Sequence, residues 1–326
     1  MSKQIILIVT SKEDSHADLV IYKLNHRNLQ DKVIRLNTED LWSNTEITSN
    51  GSNFDVKIID SQRSFNSQDV LSVWFRRPKD IEVSHLEEGS QAFIKSQCNA
   101  LLRGLYFCTH DTAMWVNPLP SLHRARIKLQ QLQLAKKLGM KIPKTLVTNN
   151  PQEVLKFFEE NPKVCTKSLD EPNFEIDGHI FPVYTRLIDF NEVKDNIEGI
   201  KICPTLFQEY IEKTYELRIN VIGDRIFALA IYSQDNELSQ IDFRGLSPAN
   251  MKQELVEIPD CLKQQIFEFV KHQGLLFSAM DFIFTPNNEY IFLENNCNGQ
   301  WQWVDQVANG KLSEAMIDLL LTSKVK

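Results

Sequence analysis

The stretch Asp281-Phe282-Ile283-Phe284-Thr285-Pro286-Asn287-Asn288-Glu289-Tyr290-Ile291-Phe292-Leu293-Glu294-Asn295-Asn296 reads as two strands around a tight turn. Leu276–Phe284 and Glu289–Glu294 are rich in aromatic and branched residues, and Thr285-Pro286-Asn287-Asn288 supplies the turn. With the turn centred on Asn287-Asn288, antiparallel register brings Asp281 opposite Glu294, give or take one residue. Asn296, two residues beyond Glu294, then shares that face. Like charges directly opposite destabilise a hairpin, and burying them among Phe and Ile costs more unless a cation neutralises them. Two carboxylates with an amide oxygen are hard ligands, of the kind Mg²⁺ takes together with waters and substrate phosphates. A polar stripe facing solvent is the commoner fate of such residues. The aromatic and branched neighbours on both sides favour the metal here.

Around this hairpin the last third of the chain has antiparallel signals. Tyr215–Ile222 and Arg225–Tyr232 flank Gly223-Asp224, a two-residue turn, and Cys261–Gln273 is an amphipathic helix ended by Gly274. Helices near Gln302–Val307 and Leu312–Leu321 follow. Upstream, a helix over Leu122–Leu138 is stopped by Gly139, and Lys144–Val147 starts a strand. A helix at Pro151–Glu160 has proline in its first turn. Strands at Lys163–Ser168 and Ile180–Leu187, a helix near Asn191–Ile197 and a strand at Thr205–Ile211 complete the middle. The first third alternates instead. Gln4–Thr10 suits a buried parallel strand, Asp14–Asn25 a helix, and Val33–Asn37 and Leu71–Phe75 further strands. Gln91–Phe107 is a long helix, Met114–Val116 a short strand, and Asn44–Asn53 a loop or hairpin tip. The expected architecture is α/β followed by α+β, with units at residues 1–117, 118–204 and 205–326.

Composition sets the bounds. The chain has 326 residues, 42% hydrophobic and 24% charged, which suits a soluble protein of two or three packed units. A net charge of -7 argues against a dedicated nucleic-acid binder. The N-terminal apolar run is too short for a signal peptide, and nothing approaches the roughly 18 apolar residues of a membrane span. The 6 cysteines form no C-x-x-C pair, which speaks for reduced thiols and a cytoplasmic location. No P-loop, G-x-G-x-x-G, G-x-S-x-G or H-E-x-x-H motif occurs.

Three weaker features lie upstream of the hairpin. Phe207-Gln208-Glu209-Tyr210-Ile211 is extended, with backbone groups able to pair with an adenine edge, and Glu216 and Arg218, two apart, point the same way. A carboxylate there can hold a ribose hydroxyl and a guanidinium can hold phosphate oxygens; taken alone, the pair reads rather as a cross-strand salt bridge on an exposed face. Lys128 and Lys167 are each able to meet a phosphate as a point charge, although most lysines are solvated surface residues. Asp242-Phe243-Arg244 carries similar weight.

The order Lys128, Lys167, Gln208-Glu209-Tyr210-Ile211, Glu216-x-Arg218, Asp281, Glu294-x-Asn296 resembles the ATP-grasp superfamily from about Pro118 to the C-terminus, and the first third resembles its pre-ATP-grasp domain. Val73-Trp74-Phe75-Arg76-Arg77-Pro78 and Asn296-Cys297-Asn298-Gly299-Gln300-Trp301 are similar, more narrowly, to the ligases that macrocyclise microviridin-type peptides, the graspetides. That family joins Asp or Glu side chains to Ser/Thr hydroxyls as esters, or to Lys as amides, on a ribosomally made precursor with a leader. The resemblance implies that Lys128 and Lys167 hold the nucleotide, that Gln208, Glu209, Tyr210 and Ile211 line the adenine pocket and that Glu216 binds the ribose. It puts Arg218 and Arg244 at the γ-phosphate and acyl phosphate, makes Asp281, Glu294 and Asn296 ligands of Mg²⁺, and implies ATP as co-substrate. Asp242 is a candidate general base. Ser168-Leu169-Asp170-Glu171-Pro172-Asn173 departs from the glycine-rich phosphate loop of many ATP-grasp enzymes.

Two other functions compete: a ligase that adds an amino acid to a peptide or protein, and a nucleotide-binding regulator without turnover. The expected partner is a precursor peptide, with no nucleic acid or membrane; a homodimer is left open. A leader is expected to dock on the central unit, against the strand Ile180–Leu187 and the apolar face of the helix Asn191–Ile197, with Val193 on that face and Arg186 and Lys194 pairing with acidic leader residues.

Overall fold

A computed structural model of the chain describes residues 4–170, 173–176, 179–247 and 250–322. Its N-terminal unit is built on Ile5–Thr10, whose six residues are all buried. Ile6 and Ile8 pack with the C-terminal helices, whereas Ile5, Leu7 and Val9 pack on the opposite side beneath the long helix Glu88–His110. A strand covered on both faces can be apolar throughout, as this one is. It pairs in parallel with Val33–Asn37 and Val70–Phe75, and Met114–Val116 completes a four-stranded sheet. Of the expected loop or hairpin tip at Asn44–Asn53, residues 50–53 are the tip and Thr45–Ser49 is a strand: Thr45–Ser49, Phe54–Ile58 and Arg63–Asn66 form an antiparallel meander. Val56, Ile58 and Phe65 are its buried side chains, too sparse a pattern to declare itself locally.

The central sheet is antiparallel, in the order Arg186–Ile188, Val164–Lys167, Thr205–Glu209, Thr145–Thr148. Thr205–Glu209 thus lies inside this sheet, past the expected boundary at residue 204. The expected strand Ile180–Leu187 divides into His179–Pro182, paired with Asn173–Ile176, and Arg186–Ile188. Pro182, which has no N–H to donate, ends the first piece.

The C-terminal sheet has five strands in the order Gln253–Leu255, Arg225–Ile231, Tyr215–Ile222, Phe277–Phe284, Tyr290–Asn296. Leu217, Ile219, Val221, Met280, Phe282 and Phe292 turn one face toward the helix Asp260–Gln273 and the segment 119–140. That segment, expected as one helix of the central unit, packs on the C-terminal sheet and is broken into Leu119–Ala125 and Lys128–Lys137. At the break, Gln131 Nε2 donates to Ala125 O at 2.6 Å, taking a carbonyl that a continuous helix would use. Lys128 therefore stands at a helix start, beside the hairpin. Among the described residues no helix is long and apolar enough to cross a membrane.

Candidate active site

The hairpin register is the first determinant of the site. Phe284 pairs with Tyr290, Ile283 with Ile291 and Phe282 with Phe292, a register that would next set Asp281 against Leu293. An irregularity between Asp281 and Phe282 makes Leu293 the extra residue, and Asp281 pairs with Glu294 instead. Arg218 lies opposite Asp281 on its other side, so Arg218, Asp281 and Glu294 form a row across three strands. Arg218 Nε is 3.3 Å from Asp281 Oδ1. Asn296 joins the same face, with Nδ2 at 3.0 Å from Asp281 Oδ2 and 3.4 Å from Glu294 Oε1.

Opposite this row stands the edge of the central sheet. Lys167 Nζ is 3.8 Å and Lys128 Nζ 3.9 Å from Glu294 Oε2. Lys128 also donates to the carbonyls of Ser168, at 2.8 Å, and Asp170, at 3.3 Å, which fixes its head over the cleft. Glu171 and Pro172, in the stretch that departs from a glycine-rich phosphate loop, lie outside the described residues. The cleft between the sheets encloses about 420 Å³ and is lined by all thirteen residues expected from sequence. A volume of that size suits a small ligand.

Charge is distributed unevenly among these groups. Burial pushes the Asp281 carboxyl up, Arg218 works against that, and Glu294 adds to it. Burial also works to raise Glu294, but Lys167, Lys128 and Arg244 outweigh it and hold that carboxylate below its ordinary value. Lys128 is lowered by burial, despite the attraction of Glu294. Arg218 lies over the rings of Phe243 and Trp303, at 5.9 and 5.8 Å, and its Nη1 has no hydrogen-bond partner among the described residues. A buried donor left over beside two carboxylates suits an anion held by a shared cation.

Several expected residues have local duties. Gln208 is buried, with Nε2 on Thr145 Oγ1 at 2.9 Å, and Glu209 Oε1 accepts from the Lys144 N–H at 2.8 Å. Tyr210 donates its N–H to Lys163 O, beyond which the chain leaves the sheet. Glu216 Oε1 accepts from Lys213 Nζ at 2.7 Å and from Ser233 Oγ at 2.9 Å. At Asp242, the candidate general base, burial works to raise the carboxyl, but Arg244 and the Thr185 N–H outweigh it and hold it below its ordinary value. Arg244 Nε reaches Asp242 Oδ1 at 2.9 Å and Nη2 reaches Oδ2 at 2.5 Å, so Asp242 aims the guanidinium. Arg77, Arg126, Gln131, Lys213, Asn298 and Gly299 also line the cleft. Arg77, Asn298 and Gly299 belong to the two stretches similar to the graspetide ligases, Lys213 stands three residues before Glu216, and Arg126 and Gln131 carry no local sequence signal.

The residues present fit a divalent cation. Two half-buried carboxylates face each other where one is driven toward its neutral form, and Asn296 bridges both; turning its amide presents its oxygen to a metal between them. Among the described residues no group of three or more His, Cys, Asp or Glu is placed to hold a metal. Mg²⁺ ordinarily completes a set of one or two carboxylates with water and substrate phosphates.

Comparison with known proteins follows this geometry. Residues 5–123 match the family described as MvdD pre-ATP grasp domain, and residues 128–290 match prokaryotic glutathione synthetase, ATP-grasp domain. No curated protein sequence matches the chain. Among solved structures, a Chryseobacterium gregarium RiPP-associated ATP-grasp ligase in complex with ADP and a leader and core peptide is 26% identical, with a TM-score of 0.88 over 97% of this chain and 96% of that one. Macrocyclase MdnC of Microcystis aeruginosa MRC, bound with precursor peptide MdnA, is 28% identical, with a TM-score of 0.84 over 98% of this chain and 100% of that one. Macrocyclase MdnB of the same organism is 27% identical, with a TM-score of 0.78 over 98% and 100%. With the paired carboxylates and cationic cleft held between two antiparallel sheets, these matches establish that the chain belongs to the ATP-grasp superfamily and has the ATP-grasp fold.

Proposed function

We propose that the chain is an ATP-dependent ligase that cross-links a ribosomally made precursor peptide, joining Asp or Glu side chains to Ser/Thr as esters or to Lys as amides. The row Arg218–Asp281–Glu294 facing Lys128 and Lys167 carries this reading, since it gathers a metal-binding pair and phosphate-binding cations in one cleft. The C. gregarium ligase in complex with a leader and core peptide, and MdnC bound with its precursor peptide, support the substrate class.

A carboxylate is a poor electrophile. In the proposed reaction its oxygen attacks the γ-phosphorus of ATP, giving an acyl phosphate and ADP; a hydroxyl or amine then displaces phosphate, losing its proton as the ester or amide forms. Mg²⁺, held by Asp281, Glu294 and Asn296, would supply neutralisation of phosphate charge. Lys128 and Lys167 hold phosphate oxygens, and Glu209, Tyr210 and Ile211 border the base. Glu216 keeps Oε2 for the ribose, its Oε1 being taken by Lys213 and Ser233. Arg218 and Arg244 face the transferred group and stabilise charge that develops there.

The central unit is the proposed leader platform, with one change of surface. Val193 is buried in the small core beneath the central sheet and is not offered to a partner as expected, whereas Arg186 is exposed and paired with Glu192 at 2.7 and 3.0 Å. Exposed Phe181, Tyr184, Leu187 and Phe190 provide the apolar contact instead.

The test is incubation with ATP, Mg²⁺ and an acidic, Thr-rich peptide bearing a leader, reading phosphate release and product mass. Loss of water for each bond formed supports cyclisation. A gain of one residue's mass would establish the amino-acid-adding ligase, and no phosphate release with any acidic peptide would leave nucleotide binding without turnover.

A further inference from the structure

Asn296 ends its strand, and the chain beyond it forms one wall of the cleft through Asn298 and Gly299. The side chains that hold this wall come from the N-terminal unit. Asn117 Nδ2 donates to Phe277 O and Cys297 O, each at 2.8 Å, while Oδ1 accepts from the N–H groups of Leu276, at 2.6 Å, and Phe277, at 2.8 Å. One amide thus ties the start of the Asp281 strand to the end of the Asn296 strand. Arg76 Nη1 donates to Asn298 O at 2.6 Å, and Asn298 Nδ2 donates back to Arg76 O. His16 Nε2 accepts from the N–H groups of Trp301, at 3.0 Å, and Gln302, at 3.1 Å.

Arg76 is 1% exposed, yet its Nε and Nη2 have no hydrogen-bond partner among the described residues. The buried Asp14 carboxylate attracts this charge, but a guanidinium buried on so few hydrogen bonds still costs stability, and an apolar side chain of similar volume would cost less if packing were its whole role. What Arg76 provides is a charged grip on the backbone of Asn298, a residue that lines the cleft. Movement there is transmitted directly. A Cβ on Gly299 would lie 2.9 Å from Ala279 Cβ and 3.1 Å from Asn296 Cβ, so the wall already rests on the ligand strand.

We propose that Arg76, seconded by His16 and Asn117, is a positioning residue that fixes Asn296 and its loop for the metal–nucleotide site. The N-terminal unit is then part of the site without touching the reacting atoms; this rests on the metal reading above. The test uses the full chain with ADP and Mn²⁺ as probe, read by electron paramagnetic resonance, beside turnover with ATP. Arg76→Met weakens Mn²⁺ uptake about tenfold and lowers kcat by about 10²-fold, while ADP affinity without metal is unchanged. Arg76→Lys, whose ammonium can still donate to Asn298 O, recovers part of both. Ser72→Ala removes a seam hydrogen bond to Leu320 O, 2.6 Å long and away from the loop, and lowers Tm with Mn²⁺ uptake unchanged. Should Arg76→Met not fold, Arg76→Lys decides alone. Wild-type Mn²⁺ uptake in the folded Arg76 variants overturns the inference, as does equal weakening by Ser72→Ala. If the wild type itself takes up no Mn²⁺ with ADP, the metal reading falls first and this inference with it.

Discussion

Along Tyr215–Ile222 one face carries Glu216, Arg218, Asn220 and Ile222, and along its neighbour the same face carries Ile283, Asp281, Ala279 and Phe277. At the Ile222–Phe277 end this face packs against Trp301, Ala308, Leu312 and Met316. At the Arg218–Asp281 end it looks into the cleft beneath the central sheet. Asn220 marks the border: it is fully buried, and its amide has no hydrogen-bond partner among the described residues. The difference teaches that alternation assigns residues to a face, whereas the neighbouring unit assigns that face to core or to site. Helices cover the apolar end and close it. An overhanging sheet covers the other end and leaves room for a ligand.

The comparison breaks most visibly at the carboxylates. Glu294→Gln should lower ATP turnover by about 10²–10³-fold, the usual cost of removing a group that stabilises transferred charge, with the circular dichroism spectrum unchanged. Turnover at the wild-type rate would remove Glu294 from the site. At the closed end, Phe277→Ala should cost about 3–5 kcal/mol in denaturant unfolding, because a buried ring leaves a cavity. A loss confined to activity would show that this end, too, serves the ligand.

Arg218→Lys sharpens the border. A lysine keeps the charge but loses the planar fork, so kcat should fall about tenfold or more while the ATP KM moves little. A pure KM effect would make Arg218 a ground-state anchor. The smallest effect is on stability without metal. Burial and Glu294 raise the Asp281 carboxyl from an ordinary value of 3.8 to about 7. Its folded pKa exceeds its unfolded one, so its favourable contribution is complete below pH 3.8 and is lost as pH rises through about 7. Asp281→Asn should therefore raise Tm at pH 8 by about 1–2 °C, equivalent to roughly 1 kcal/mol, and change nothing at pH 4. A Tm gain at both pH values would mean that the carboxylate pair is not its cause.

The hairpin at 281–296 was legible because its information is local: a turn, alternating apolar residues and two acids at mirrored distances from the centre. The bulge at Leu293 was not: the pairs nearest the turn are centred on Asn287, half a step from the Asn287-Asn288 centre read in the sequence, and the extra residue restores the expected Asp281–Glu294 pair. The order of residues from Lys128 to Asn296 resembled a known family closely enough to imply the fold and a candidate set of site residues. The meander at 45–66 and the break at Arg126-Ile127 were missed, because a sparse apolar pattern and a side chain capping a distant carbonyl leave no periodic trace.

By itself the sequence determined the alternating N-terminal unit, the two antiparallel hairpins of the C-terminal unit and the chemistry of the groups they carry. Those follow from periodicity and turn residues acting over a few positions. Only the tertiary structure decided that Thr205–Glu209 enters the central sheet, that Val193 points inward, and that Asp242 holds Arg244 by two hydrogen bonds. It alone brought Arg76, His16 and Asn117 against the loop after Asn296. Each depends on which surfaces meet across long separations in the chain, and burial, which sets both pairing and charge state, exists only once they have met.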